Sequence, residues 1–383
     1  MPENLLIINT ALYSDPDPSR RFDILVENGK ISRISPAGKN DIQVKTIDGR
    51  GLVAVPGMID LHIHGAGGSD SLDATEEALA VISGTLARSG TTSFLSTMVV
   101  NPHENNTHVR IAAECTGKDL GGASLLGVYI EGPFINIMKR GGIITDCISA
   151  PSKSILAKLL EVADGSLKIM CVAPEIPGIE AIIKTLKDEG VLPSYGHSDS
   201  NYEETINGFN MGISHVTHLY NAMRPLHHRD PGPLAAIFEN QQISVELIGD
   251  SHHVHPSMIK FARNFKSRDK IICITDGISG MGLPDGTYTY NNRKYTSKDG
   301  LARYLDGTLI GSTMTLGNIV KNYMLFTNCD LREAIETVTI NPARILGIDD
   351  RKGSLEEGKD ADIVLIDDDF TICHTLVEGK PIS

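Results

Sequence analysis

The chain has 383 residues, 41% hydrophobic and 22% charged, enough for one large core plus a small one and too apolar for a disordered chain. Lys and Arg number 35 against 48 Asp and Glu, a net charge of −13, which argues against nucleic acid or an anionic membrane as the main partner but leaves room for an anionic small molecule in a local basic pocket. Tryptophan is absent, so no Trp-built sugar platform exists. In chain order, residues 5–8, 22–27 and 30–35 read as short strands, with Asn28-Gly29 as a hairpin turn between the last two. The C-terminal end repeats this pattern, with 363–366 and 371–377 strand-like and Glu378-Gly379 a turn. The two ends are expected to pair into one small β-sandwich domain, residues 1–54 with 348–383, leaving 55–347 as the large domain.

The middle alternates. Apolar, β-branched runs at 58–64, 92–98, 125–131, 167–173, 192–197, 213–218, 245–249 and 271–276 are separated by helical patterns, clearest at 74–89, 152–162, 179–189, 202–209 and 256–265. Periodicity alone does not separate a closed barrel from an open sheet. The count of eight strands favours an α/β (β/α)8 TIM barrel. Residues 280–306, rich in Gly, Lys and Tyr, carry hairpin signals at Asn291-Asn292 and Asp306-Gly307. They read either as an insertion over the barrel mouth or as an excursion to the β domain. Helices at 313–326 and 331–338 follow.

Six cysteines (115, 147, 171, 273, 329 and 373) are scattered without a Cys-x-x-Cys pair. Neither a disulfide framework nor a thiolate zinc site is expected; reduced thiols in a cytoplasmic protein are. The opening Met1-Pro2-Glu3-Asn4 has no basic stretch, and no run approaches about 18 uncharged apolar residues, so neither a signal peptide nor a membrane span is expected.

Of the 13 histidines, several fall where barrel strands end. Asp60-Leu61-His62-Ile63-His64 closes the first strand, and alternation places 60, 62 and 64 on one face. Glu131 closes the third strand, His197 the fifth, His218 the sixth and Asp276 the eighth. Each has an ordinary structural reading when taken singly. Together, four histidines and two carboxylates at five strand C-termini form a ligand set for Zn²⁺ or Fe²⁺ at the face where such barrels carry active sites. A ligand set spread over so many strands fits an open hydrolytic site better than a structural zinc. His103, His108 and His374 have no convergent partner and read as structural or surface, and His215 reads as a hydrogen-bonded core histidine.

The motifs Pro56-Gly57-Met58-Ile59-Asp60-Leu61-His62-Ile63-His64-Gly65, Glu131-Gly132-Pro133-Phe134, Gly196-His197-Ser198-Asp199, His218-Leu219-Tyr220-Asn221-Ala222-Met223, Arg229-Asp230-Pro231-Gly232 and Asp306-Gly307-Thr308-Leu309-Ile310-Gly311-Ser312 resemble the N-acetylglucosamine-6-phosphate deacetylase family of the amidohydrolase superfamily. The resemblance runs in order over nearly the whole chain. It implies a metal site at Glu131, His197 and His218, and a second at His62 and His64 that only some members possess. Two divalent ions per chain are therefore implied, Zn or Fe, with Mn or Co as further options. It further implies Asp276 as the catalytic acid/base and a substrate set of Gly142, Asn221, Ala222, Arg229, His253, Leu309, Ile310 and Gly311. Some phosphate ligands in the family come from the neighbouring subunit, so Arg229 implies a homodimer. The expected activity is hydrolysis of the N-acetyl amide of a phosphorylated amino sugar, with no nucleic-acid or membrane partner.

The chain departs from the family at one position. Where a Lys-Gly-Ala-His stretch is usual, it reads Lys139-Arg140-Gly141-Gly142-Ile143-Ile144, with Ile143 in place of a histidine that contacts the acyl group. This points to an altered substrate preference, for instance the galacto epimer, or to a second metal acting in the lost donor's place. The alternatives are another amidohydrolase for a different N-acyl or cyclic amide substrate, and a metal-free binding protein of the same fold. The former tends to use a bridging Lys or Cys, which Glu131 and the stretch Ala173-Pro174-Glu175 do not supply. The latter leaves buried carboxylates unpaired.

Overall fold

Apolar β-branched runs with helices between them build a closed parallel sheet here. The structure is a computed structural model and describes residues 4–38, 43–290 and 293–382. The eight barrel strands are β1 (Met58–Ile63), β2 (Thr91–Met98), β3 (Ser124–Glu131), β4 (Leu167–Val172), β5 (Leu192–Tyr195), β6 (His215–Val216), β7 (Ser244–Ile248) and β8 (Ile271–Ile274). They pair in sequence order, every pair parallel. The ring closes at the C-terminal face, where Ile63 bridges Gly277 in parallel and the Asp276 amide donates to the His62 carbonyl at 2.9 Å.

Strand alternation divides the apolar residues into two cores. Phe94, Val128, Ile130, Met170, Val172 and Cys273 pack with helix residues such as Leu79, Ile82, Leu156, Ile183 and Ile259. Their neighbours Leu95, Tyr129, Ile169, Cys171, Ile272 and Ile274 form the barrel interior. Side-chain caps start the helices: Thr75 accepts from the Ala78 amide, and Asn201 and Glu204 form a reciprocal capping box. Helices at Thr107–Cys115, Gly232–Glu239 and Ile340–Ile345 carry too weak a pattern to be read from sequence.

Both chain ends share a second sheet. Strand Leu5–Leu12 lies between Phe22–Glu27 and Val53–Pro56, and the latter pairs with Ile363–Ile366 from the C-terminal end. Its core includes Leu5, Ile7, Ile24, Val26, Ile363 and Leu376. Asn28 and Gly29 take φ of 52° and 78°, as the hairpin requires. The segment after β8 is an antiparallel sheet, Gly286–Tyr290, Arg293–Lys298, Leu301–Tyr304 and Leu309–Ser312. It returns to the barrel top through a Gly277–Ser312 bridge, so it covers the mouth rather than joining the terminal sheet. The turn expected at Asn291-Asn292 lies outside the described residues, as do residues 1–3. No helix among the described residues is long and apolar enough to cross a membrane.

Candidate active site

The ends of β1, β3, β5, β6 and β8 converge on one cavity. Glu131 ends β3, but His197, His218 and Asp276 each sit two residues beyond their strands, at φ of 45°, 29° and 49°. Three non-glycine residues in this sparsely populated region at one site store backbone strain that the surrounding barrel must over-determine. The left-handed step lets each side chain leave the pleat and turn into the barrel mouth.

Two groups of ligand atoms result, Glu131 with His197 and His218, and His62 with His64 and Asp276. His197 Nε2 and His218 Nε2 lie 2.8 and 2.9 Å from Glu131 Oε1, and 3.0 Å from each other. His64 Nε2 is 3.7 Å from Glu131 Oε2 and 3.3 Å from Asp276 Oδ1. His62 Nε2 is 3.8 Å from Glu131 Oε1 and 3.6 Å from Asp276 Oδ1.

The hydrogen-bond inventory shows what this cluster fits. His197 donates Nδ1–H to the Lys139 carbonyl at 2.8 Å, so its Nε2 turns a lone pair toward Glu131 and His218. His62 donates Nδ1–H to Glu246 Oε2 at 3.0 Å, and its buried Nε2 has no hydrogen-bond partner. Acceptors facing acceptors in a buried site need a cation between them. The charges agree. Burial works against charge on His62, yet Glu246, Asp276 and Glu131 push its pKa up to about 10. Burial would raise Asp276, but the hydrogen bond from His64 and the charges of His62 and His64 hold it well below the usual carboxylate range. Glu131 is likewise held well below that range, by His197 and His218, against its burial. The carboxylates demand positive charge, which protons on the imidazoles or a divalent ion supply, and the ion also gives the buried His62 Nε2 the partner it lacks.

Above the cluster is a cavity of about 270 Å³ whose walls include His64, Glu131, Gly142, His197, His218, Asn221, Ala222, His253, Asp276, Leu309, Ile310 and Gly311. The structure thus brings together every site residue read from the sequence except two. His62 lies just behind the wall, fully buried. Arg229 does not reach the cavity of its own chain: it is exposed, with its guanidinium 3.0 Å from His228 Nε2. His253 is fixed by a 2.6 Å bond from Nδ1–H to the buried Asp250, so its Nε2 is the atom left for a ligand. Asp60 shares β1 with His62 but is no ligand, since its carboxylate takes the Thr275 hydroxyl at 2.6 Å and the His62 amide.

Three wall residues, Tyr290, Val99 and Gly141, escape a sequence reading. Tyr290 comes from the mouth-covering sheet and sets its ring edge-on to His64, 6.1 Å between centroids. Val99 joins Ile143 in an apolar side, Ile143 being 6% exposed. Glu246, behind the wall, is signalled only by a carboxylate inside the apolar run Val245-Glu246-Leu247-Ile248. His215 is buried and hydrogen-bonded as expected, to Ser244 and Glu246. His103 and His374 are exposed, and His108 donates Nε2–H to the Val99 carbonyl at 2.9 Å.

Residues 53–382 match the amidohydrolase family. The chain is 35% identical over 385 residues to the N-acetylglucosamine-6-phosphate deacetylase of Bacillus subtilis (strain 168), covering 99% of this chain and 97% of that protein. It is 32% identical over 361 residues to the N-acetylgalactosamine-6-phosphate deacetylase of Escherichia coli O157:H7, covering 94% of each. Among solved structures, the N-acetylglucosamine-6-phosphate deacetylase of Pasteurella multocida superposes with a TM-score of 0.92 at 28% identity, over 99% of both chains. A mutant of the Mycobacterium smegmatis enzyme, in complex with N-acetyl-D-glucosamine-6-phosphate, gives a TM-score of 0.90 at 25% identity over 99% of both chains.

Proposed function

The chain belongs to the amidohydrolase family, in its N-acetylglucosamine-6-phosphate deacetylase group, and we propose that it hydrolyses the N-acetyl amide of an amino-sugar 6-phosphate to release acetate. The observation that carries this reading is the convergence of His64, Glu131, His197, His218 and Asp276 on one cavity floor, with His62 directly behind it. We propose two divalent ions per chain, Zn or Fe foremost, one at Glu131–His197–His218 and one at His62–His64–Asp276. Bound there, such ions supply Lewis acidity and lower the pKa of water from 15.7 toward about 7.

The chain's own groups do the rest. Asp276, with 14% of its side chain exposed at the cavity floor, takes the proton of the attacking water and returns it to the leaving amine. His253, held by Asp250, and Asn221 with the Ala222 backbone orient the sugar; Gly142 and the Leu309–Gly311 edge shape the wall. Arg229 supplies a guanidinium fork for the phosphate. Its exposure on its own chain supports a homodimer in which it serves the neighbouring cavity. Six free cysteines, four of them buried, support a reducing, cytoplasmic setting.

Metal analysis combined with an acetate-release assay on N-acetylglucosamine-6-phosphate and N-acetylgalactosamine-6-phosphate tests the reading. Acetate release from either, lost on chelation and restored by Zn²⁺ or Fe²⁺, is expected. No release from either compound overturns it.

A further inference from the structure

Glu246 lies in the middle of β7, fully buried among apolar neighbours, and it does not line the cavity. A carboxylate there is costly unless every oxygen is paired. Its Oε2 accepts from His62 Nδ1 at 3.0 Å and from the His218 amide at 3.1 Å. Its Oε1 accepts from His215 Nε2 at 3.0 Å, and His215 Nδ1 lies 2.7 Å from the Ser244 hydroxyl. Its main-chain carbonyl accepts from the Leu219 amide at 2.8 Å. One residue thus grips a ligand side chain from β1 and the strained loop that carries a ligand from β6.

We propose that Glu246, braced by His215, is the positioning residue that couples the two halves of the site: it holds His62 in the tautomer that bares Nε2 and fixes how far His62 stands from His218. The inference deepens the two-ion reading above and rests on it for its metal arm. The single oxygen Oε2 serves ligands of both ion positions, so displacing it moves one half of the site against the other. A tautomer is set by the partner of the other ring nitrogen, and orienting partners of this kind are worth 10–100-fold in metal affinity.

Glutamine in place of Glu246 carries no negative charge, and it aims its NH2 group either at the donors His62 Nδ1 and His218 N, where donor meets donor, or at His215 Nε2, which must then move its proton to Nδ1 toward Ser244; in both cases His62 loses the anion that holds its Nδ1–H. His62 can then escape by moving its proton to Nε2, which removes the lone pair the second ion needs. The side-chain contacts of Glu131 with His197 and His218 remain, so the ion at Glu131 is retained and loses less affinity than the second, feeling only the loosened His218 amide.

The test uses the full chain of wild type and Glu246→Gln. In the metal-free proteins, at a pH high enough for His62 to be neutral, ¹⁵N-histidine NMR, assigned with His62→Asn, reads the His62 tautomer; Zn²⁺ is titrated separately against a competing chelator. The expected result is an Nδ1–H tautomer in wild type, a mixed or Nε2–H tautomer in the variant, and a second-ion affinity 10–100-fold weaker with the first affected less. An unchanged tautomer together with an unchanged second-ion affinity overturns the inference. If wild type takes up one Zn²⁺ only, the two-ion reading fails and the inference is judged on the tautomer alone. If Glu246→Gln does not fold, His215→Phe is read in its place: a mixed His62 tautomer and a second-ion affinity at least threefold weaker support the brace, and wild-type values overturn it.

Discussion

His64 Nε2 stands 3.3 Å from Asp276 Oδ1, so the end of the first barrel strand and the loop after the eighth meet in one contact. That contact, with the charge of His62, favours the ionised form of the Asp276 carboxylate against its burial, so the group starts in the form that can accept a proton. Asp276→Asn keeps the shape and removes the proton acceptor. Its kcat is expected to fall by about 10²–10⁴-fold, with KM within a few-fold and the ion at Glu131, His197 and His218 retained. Near-wild-type turnover would move the acid/base role elsewhere.

The ligand geometry makes metal content a direct readout. Wild type is expected to hold close to two transition-metal ions per chain at saturation, and replacing His62 and His64 together by Asn should reduce this to one. Plasma emission spectrometry on dialysed protein measures both. One ion in wild type, with no change in the double variant, removes the second site.

Much of this site is legible in the sequence because its residues lie in motifs with a fixed place on the barrel. His62 and His64 end an apolar run, and Glu131 precedes a Gly-Pro break, so strand endings alone bring the ligand set to one face. The long-range pairs are not legible. Glu246 touches His62 across 184 residues of sequence, and no local pattern encodes which buried partner a strand carboxylate will meet. Tyr290 reaches the cavity only because an antiparallel sheet folds back over the mouth. The strand ends expected at 197, 218 and 276 lie beyond the observed ones, since a residue that will take a positive φ looks like any other in the sequence.

A buried ion pair lies within the C-terminal segment, at the start of its strand Ile363–Ile366. Lys352 is 1% exposed, with Nζ 2.5 Å from Asp362 and 3.3 Å from Asp360. Lys352→Met leaves Asp362 buried beside Val364 and Ile363 with its cation gone, which is expected to cost about 3–5 kcal/mol. Urea unfolding measures it. Lys352→Met paired with Asp362→Leu should recover part of that loss, because both charges are then removed, whereas an unchanged midpoint in the single variant would show the pair to be neutral.

Arg229 tests the dimer. Arg229→Ala should weaken binding of phosphorylated substrate far more than of the unphosphorylated sugar, and equal losses on both would exclude a specific phosphate contact. Its exposure on its own chain gives a sharper expectation. Arg229→Ala and Asp276→Asn chains, each nearly inactive alone, should regain activity on co-refolding, because one mixed cavity then holds an intact Asp276 and the partner's intact arginine. Recovery near a quarter of the wild-type rate follows from random pairing with one sound cavity in half of the dimers. No recovery, with mixed dimers shown to form, places Arg229 outside the neighbouring site.

Ile143 bears on which sugar is cleaved. It lines the cavity beside Gly142, and its side chain cannot donate a hydrogen bond to an acyl oxygen. Loss of one such donor typically costs about 2.7–4 kcal/mol of transition-state stabilisation. Either the second ion compensates, or the apolar wall of Val99 and Ile143 seats a different substrate, such as the galacto epimer. Comparing kcat/KM for N-acetylglucosamine-6-phosphate and N-acetylgalactosamine-6-phosphate in wild type and Ile143→His separates the two. A preference for the galacto compound that Ile143→His reverses assigns Ile143 to substrate choice. No preference, with activity that falls by about 10²-fold or more when only one ion is bound and recovers in Ile143→His, assigns the missing donor's work to the second ion. Ordinary rates on the gluco compound with a single ion bound would defeat both explanations and leave the wall at Ile143 without influence on the reaction.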